Sequence, residues 1–184
     1  MSNRLPILMR VFIAIKVPEA IKEEISELQR DLDAQNVRWV APKNIHLTLK
    51  FLGEVPDRQI EAIADAMKSS LPEIKPFNIS FEEVGGFPNL NRPRVLWIGV
   101  KQGKVELIEL MQKLNRELSS LGFVAETRKS VPHLTIGRVK KVGRGFGLAN
   151  LKGCPTFLAE RVYLIKSELT PQGPIYTDIK EFRL

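Results

Sequence analysis

A tetrapeptide occurs twice, as HLTL at 46–49 and HLTI at 133–136, and these two copies hold every histidine in the chain. Each copy lies a similar distance behind an Arg-Val pair that opens an apolar run: Arg10-Val11 before the first, Arg94-Val95 before the second. Both intervals read as a helix followed by an extended piece. The chain therefore reads as an internal duplication, with approximate repeats at 10–90 and 94–174 inside a single two-lobed domain spanning 1–184. Two such units can pack about a pseudo-two-fold axis with a cleft between them.

The local pattern supports this reading. RVFIAIKV at 10–17 is apolar and β-branched, as a strand requires. Pro18 suits a first helical turn, and 19–34 carries Ile21, Ile25 and Leu28 at helical spacing. VRWVAP at 37–42 is a short extended piece, and NIHLTLKFLGEV at 44–55 is a second strand. Asp57 is placed to cap a helix whose buried stripe is Ile60, Ile63, Ala64 and Met67. FNISFEEV at 77–84 reads as a strand and GGFPNLNRP at 85–93 as a turn region. In the second half, 94–100 is a strand. The segment 104–122 is a helix with Leu107, Leu110, Met111 and Leu114 on one face, stopped by Gly122. Strands at 130–140, 161–169 and 173–184 follow.

In an extended strand, residues i and i+2 share a face. His46 and Thr48 then point together, backed by Leu47 and Leu49, and His133 and Thr135 do the same in front of Leu134 and Ile136. An imidazole titrates at about pH 6.5 when unperturbed, so one of two can accept a proton while the other gives one. Threonine hydroxyls can orient the oxygens of a phosphoryl group. The pattern thus fits phosphoryl chemistry without a metal. A zinc site would need carboxylate ligands that nothing in the sequence indicates, and no G-x-S-x-G elbow supports a serine hydrolase.

Composition narrows the partners. A net charge of +7 favours polyanions such as nucleic acid or nucleotides. The one cysteine excludes an intramolecular disulfide and a cysteine-based metal site, so a reducing, cytoplasmic setting is expected. No apolar run reaches the roughly 18 to 20 residues that span a bilayer, and the first 15 residues read as a strand rather than a signal peptide. The duplication supplies both halves of a cleft, so a monomer suffices.

RVFIAI, HLTLKFLGEV, GGFPNLNRPRVLWIGV, PHLTIGRVK and SELTPQGPIY together resemble the two-histidine phosphoesterase superfamily. Within it the chain is most similar to the RNA 2′,3′-cyclic phosphodiesterases, historically called 2′-5′ RNA ligases. The resemblance implies an α+β, bilobal fold whose two antiparallel sheets line a central cleft, with helices packed outside. It implies cofactor-free hydrolysis of an RNA terminal 2′,3′-cyclic phosphate to a 2′-phosphomonoester, with 2′-5′ ligation as the reverse. It casts His46 as proton donor to O3′ and His133 as proton acceptor from water, with Thr48, Thr135 and Arg138 on the phosphate. Strict alternation puts Arg138 on the wrong face, so a bulge, for instance at Gly137, or the length of the side chain has to bring it round.

Further candidates for RNA contact are Lys50, on the His46 face by alternation, and Arg128 with Lys129 before the second motif. RVKKVGRGFG at 138–147 offers Lys140, Lys141, Arg144 and Phe146, either as a basic loop tracking an RNA backbone or as solvated surface. Phe51 and Tyr176 can line a base pocket or belong to the core; Trp39 and Trp97 are assigned to packing. Two rival functions stay open: a phosphodiesterase of small cyclic nucleotides, and a non-catalytic RNA- or nucleotide-binding module.

Overall fold

The computed structural model describes residues 6–32, 36–125, 130–140, 151, 153 and 156–184. The first half runs β1 (Leu8–Lys16), α1 (Glu19–Leu32), β2 (Val37–Trp39), β3 (His46–Pro56), α2 (Ile60–Ser70) and β4 (Phe77–Phe87). The second runs β5 (Val95–Val100), α3 (Lys104–Ser119), β6 (His133–Val139), β7 (Thr156–Ala159), β8 (Arg161–Thr170) and β9 (Gly173–Arg183). The α+β class expected from the sequence is what the chain adopts.

The helices form where apolar residues recur every three or four positions, and those residues are the buried ones: Ile21, Ile25 and Leu28 on α1, Ile63, Ala64 and Met67 on α2, Leu107, Leu110, Leu114 and Leu118 on α3. Met111, expected on the α3 stripe, is only partly buried and packs at its edge. Gly122 stops this helix region at φ +86°, a conformation with little steric cost only for glycine, while the Phe123 N–H reaches back to the Leu118 carbonyl at 3.2 Å. Asp57 does not cap α2. It starts a 3-10 turn ahead of that helix, and its carboxylate accepts from the next N–H, that of Arg58, at 2.8 Å.

All strand pairs are antiparallel. The order is β7-β4-β5-β6-β3-β1-β8-β9, with β2 added on β6. The two expected sheets are the halves of this path, and they meet where β3 and β6 share one registered pair, Leu47↔Leu134. The lobes do not coincide with the sequence halves. β4 crosses to pair with β5, and β8 crosses back to pair with β1. β7, four residues long, carries no pattern strong enough to have been assigned from sequence. Helices and the alternate strand residues facing them form the large core, while Phe12, Ala14 and Ile165 form a small cluster on the opposite face with Tyr163 and Tyr176. That second face carries the cleft. Among the described residues, no helix is long and apolar enough to cross a membrane.

One buried polar side chain ties α1 to this frame. Gln29 donates through Nε2 to the Ile136 carbonyl at 2.9 Å and to the Val40 carbonyl at 3.0 Å, and the Val40 N–H also donates to Ile136 at 2.9 Å. Removing a buried donor from two such acceptors costs about 1–3 kcal/mol. Gln29→Ala should therefore lower the unfolding free energy by that amount, seen as a lower urea midpoint with no change in the m-value.

Candidate active site

Pro42–Asn44 forms a single 3-10 turn that delivers His46 to the start of β3. The Asn44 amide fixes the turn by donating to the Pro174 carbonyl at 3.0 Å, at the β8–β9 hairpin. His46 Nδ1 lies 2.7 Å from the carbonyl of Asn44, and His133 Nδ1 lies 2.6 Å from that of Val131, in each case two residues upstream. A carbonyl can only accept, so Nδ1 carries the hydrogen in both rings and Nε2 is the basic nitrogen. The same local bond sets the same tautomer twice.

The Leu47↔Leu134 pair fixes what stands beside what. In an antiparallel register it carries His46 toward Thr135 and Thr48 toward His133, with all four side chains on the face opposite the two leucines. Leu47, Leu49, Leu134 and Ile136, behind them, are buried. Two imidazoles and two hydroxyls thus converge on one junction, from motifs far apart in sequence.

Two bulges then decide which further side chains join them. On β6, Thr135 pairs with Trp97 and Gly137 with Leu96, so one residue is skipped at Ile136. This slip reverses the alternation and brings Arg138 into the cleft with Thr135. The bulge expected near Gly137 is there. Gly137 also admits its neighbours, since a Cβ at that position would lie 2.6 Å from Val37 Cγ1 and 2.9 Å from Trp39 Cε3.

On β3, Thr48 pairs with Ala14 and Lys50 with Ile13, skipping Leu49. Lys50 therefore turns away from the His46 face, correcting its assignment as an RNA contact. It is buried on the helix side, where Nζ donates to Asn115 Oδ1 at 2.6 Å and to the Val124 carbonyl at 3.1 Å. Phe51 takes the cleft position instead, 66% exposed and lining the cavity.

Aromatic rings seat both imidazoles. Phe12 lies 4.8 Å from the His46 ring and Tyr176 meets it edge-on at 5.3 Å. Phe87 meets His133 edge-on at 5.1 Å, and Trp97, pressed flat against Gly85, stands 6.0 Å away. Burial holds both histidines below the usual imidazole range, outweighing the bonds to Asn44 and Val131 that favour the charged form. Burial likewise raises the Tyr176 hydroxyl, against the pull of Arg138 and Arg10 nearby.

A cleft of about 390 Å³ opens over His46, Thr48, Thr135, Arg138, Phe51 and Tyr176. His133 stands outside that lining, against Phe87 and Trp97. Trp39, assigned to packing from sequence, lines the cleft, as do Arg10, Arg38 and Gln172, which carry no local signal that marks them in the sequence. Arg128, Lys129, Lys141, Arg144 and Phe146 lie outside the described residues. Lys140 is exposed beyond β6, its N–H donating to the Asn36 carbonyl at 2.8 Å. Among the described residues, no three His, Cys, Asp or Glu side chains gather as metal ligands would.

The sequence profile of the LigT-like phosphoesterase family matches residues 15–97 and again 98–176. The RNA 2′,3′-cyclic phosphodiesterase of Methanocaldococcus jannaschii is 41% identical over 180 residues, covering 95% of this chain and 100% of that protein. That of Methanothermobacter thermautotrophicus is 39% identical over 185 residues, covering 96% and 99%. Among solved structures, E. coli LigT complexed with 3′-AMP superposes with a TM-score of 0.85 at 25% identity, covering 97% of this chain and 99% of that one. TT0787 of Thermus thermophilus gives 0.84 at 26%, covering 96% and 98%.

The burial of Lys50 makes a distinction measurable. Lys50→Met should cost about 1–3 kcal/mol by leaving buried acceptors without their donor. It should not change the salt dependence of oligonucleotide binding, because this ammonium neutralises no phosphate.

Proposed function

The chain belongs to the LigT-like phosphoesterase family, and from that premise we propose that it hydrolyses a terminal RNA 2′,3′-cyclic phosphate to a 2′-phosphomonoester by a two-histidine acid/base mechanism. The observation that carries this reading is the Leu47↔Leu134 junction, which brings both His-Thr pairs to one face. The relatives at 41% and 39% identity are named RNA 2′,3′-cyclic phosphodiesterases, which supports the substrate class of this reading.

The chemistry follows from the groups present. Water attacks phosphorus while Nε2 of His133 takes its proton. The P–O3′ bond breaks, and protonated Nε2 of His46 gives its proton to O3′. The products are a 3′-hydroxyl and a 2′-phosphate. Thr48, Thr135 and Arg138 hold the non-bridging oxygens, where negative charge grows as the new bond forms. The two imidazoles supply both proton transfers, so the mechanism calls on no metal. Run backwards with a 5′-hydroxyl in place of water, the same transfers form a 2′-5′ linkage.

The test is to treat an oligonucleotide ending in a 2′,3′-cyclic phosphate with the protein in EDTA and identify the terminal phosphate. A 2′-phosphate is expected, and His46→Ala or His133→Ala should each slow its formation by at least about 10²-fold. Abolition by the chelator with rescue by zinc would overturn the mechanism. The pH dependence has a definite sign. The donor works only below its pKa and the acceptor only above its own. Since burial lowers both, kcat/KM should be bell-shaped with its maximum below about pH 6.5 and fall as pH rises through neutrality. A maximum above pH 7, with chemistry limiting, would contradict it.

A further inference from the structure

Three guanidinium groups line one cleft, and the proposed reaction uses one of them. Arg38 and Arg138 are direct partners across the β2–β6 ladder, so two like charges stand opposite each other on adjacent strands. Such pairs repel. Arg10, on β1, lines the same cleft, and it and Arg138 both act on the Tyr176 hydroxyl. Among the described residues, no carboxylate pairs with any of the three. Glu54, the partner of Arg10 across β1–β3, makes no ion pair with it. Among the described residues, no acidic side chain lines the cleft either. The β8–β9 hairpin walls this end, with Arg38 Nη2 so near that a Cβ on Gly173 would lie 3.5 Å from it.

All three guanidinium groups are exposed at the cleft and, among the described residues, no carboxylate neutralises them, so each can meet an incoming anion with a charge-assisted hydrogen bond. A 2′,3′-cyclic phosphate is a diester with a single negative charge, which Arg138 alone can match. We propose that Arg38 and Arg10 form a second phosphate subsite, which takes the phosphate on the 5′ side of the terminal nucleoside. The inference rests on the function proposed above and specifies its substrate class: an RNA end with a phosphate at both edges of its last sugar, in preference to a free nucleoside cyclic phosphate. The two phosphates of such a nucleotide are one sugar apart. Arg38 and Arg138 stand on adjacent strands about 5 Å apart, and Arg10 enters the same cleft from β1, so long side chains reach both phosphates.

The test compares adenosine 2′,3′-cyclic phosphate with the same molecule carrying a 5′-phosphate, and with the ApA dinucleotide ending in a cyclic phosphate. The wild type should favour both two-phosphate substrates by about tenfold or more in kcat/KM, through KM. In Arg38→Gln and Arg10→Gln that preference should collapse toward unity, and the salt slope of binding should fall by about 0.7 for each arginine replaced. A gain confined to the 5′-monophosphate, absent from the dinucleotide, would overturn the assignment to an RNA linkage. Arg38→Gln should melt no lower than wild type, since it removes a like-charge neighbour; a lower Tm would indicate a structural role instead.

Calorimetry with 2′-AMP and adenosine 2′,5′-bisphosphate gives the same comparison without turnover. If the bisphosphate binds no tighter, or binds equally well to both variants, the subsite is wrong whatever the turnover shows. If it binds tighter through Arg38 and Arg10 while no cyclic phosphate is hydrolysed, the subsite stands and the proposed reaction falls.

Discussion

The contact on which the rest of the molecule depends is the meeting of β3 and β6 at Leu47 and Leu134. Elsewhere the strands pair over several registered residues, but here the two halves of the sheet touch at one pair and then part. That geometry is what opens a cleft without breaking the sheet. The leucines close the core behind the junction, both almost fully buried, and the residues on either side of them have nowhere to point except into the opening. Packing and chemistry are thus set by the same two backbone positions.

Electrostatics in the opening is divided between burial and charge. The imidazoles are enclosed by aromatic rings on the face away from the helices, which makes their charged forms costly. The arginines stand further out, where water and a bound anion can reach them. A negatively charged group entering past the arginines would favour protonation of a histidine that is neutral in the empty cleft.

Much of this was legible in the sequence, for a definable reason. The helices follow their apolar stripes, and Ile21, Ile25 and Leu28 or Leu107, Leu110 and Leu114 are buried where the spacing puts them. The repeated HLT located both His-Thr pairs because alternation holds over the three residues that matter. It fails two residues later. Lys50 and Phe51 exchange faces because β3 skips Leu49, and Arg138 is recovered because β6 skips Ile136. A bulge is a one-residue slip in phase, set by hydrogen bonds to other strands and by Gln29 from α1, so it leaves no mark in local periodicity. Arg38 was invisible for a similar reason. It matters because of its partner across the ladder, and pairing between distant segments is not written in either one.

The exchange of strands between lobes has a consequence for how the chain comes into being. β1 is made well before β8, yet β8 is the strand that covers its outer edge. During synthesis Val11, Phe12, Ile13 and Ala14 must wait with one row of backbone N–H and C=O groups open until residues 163–166 emerge. An apolar strand with an open edge is a template for the wrong neighbour. Its native pairing is also among the longest loop closures the chain makes, which slows the correct outcome. The nascent chain therefore carries a hazard of misassociation from the synthesis of β1 until that of β8, and chaperone demand should track that interval rather than the size of the finished molecule.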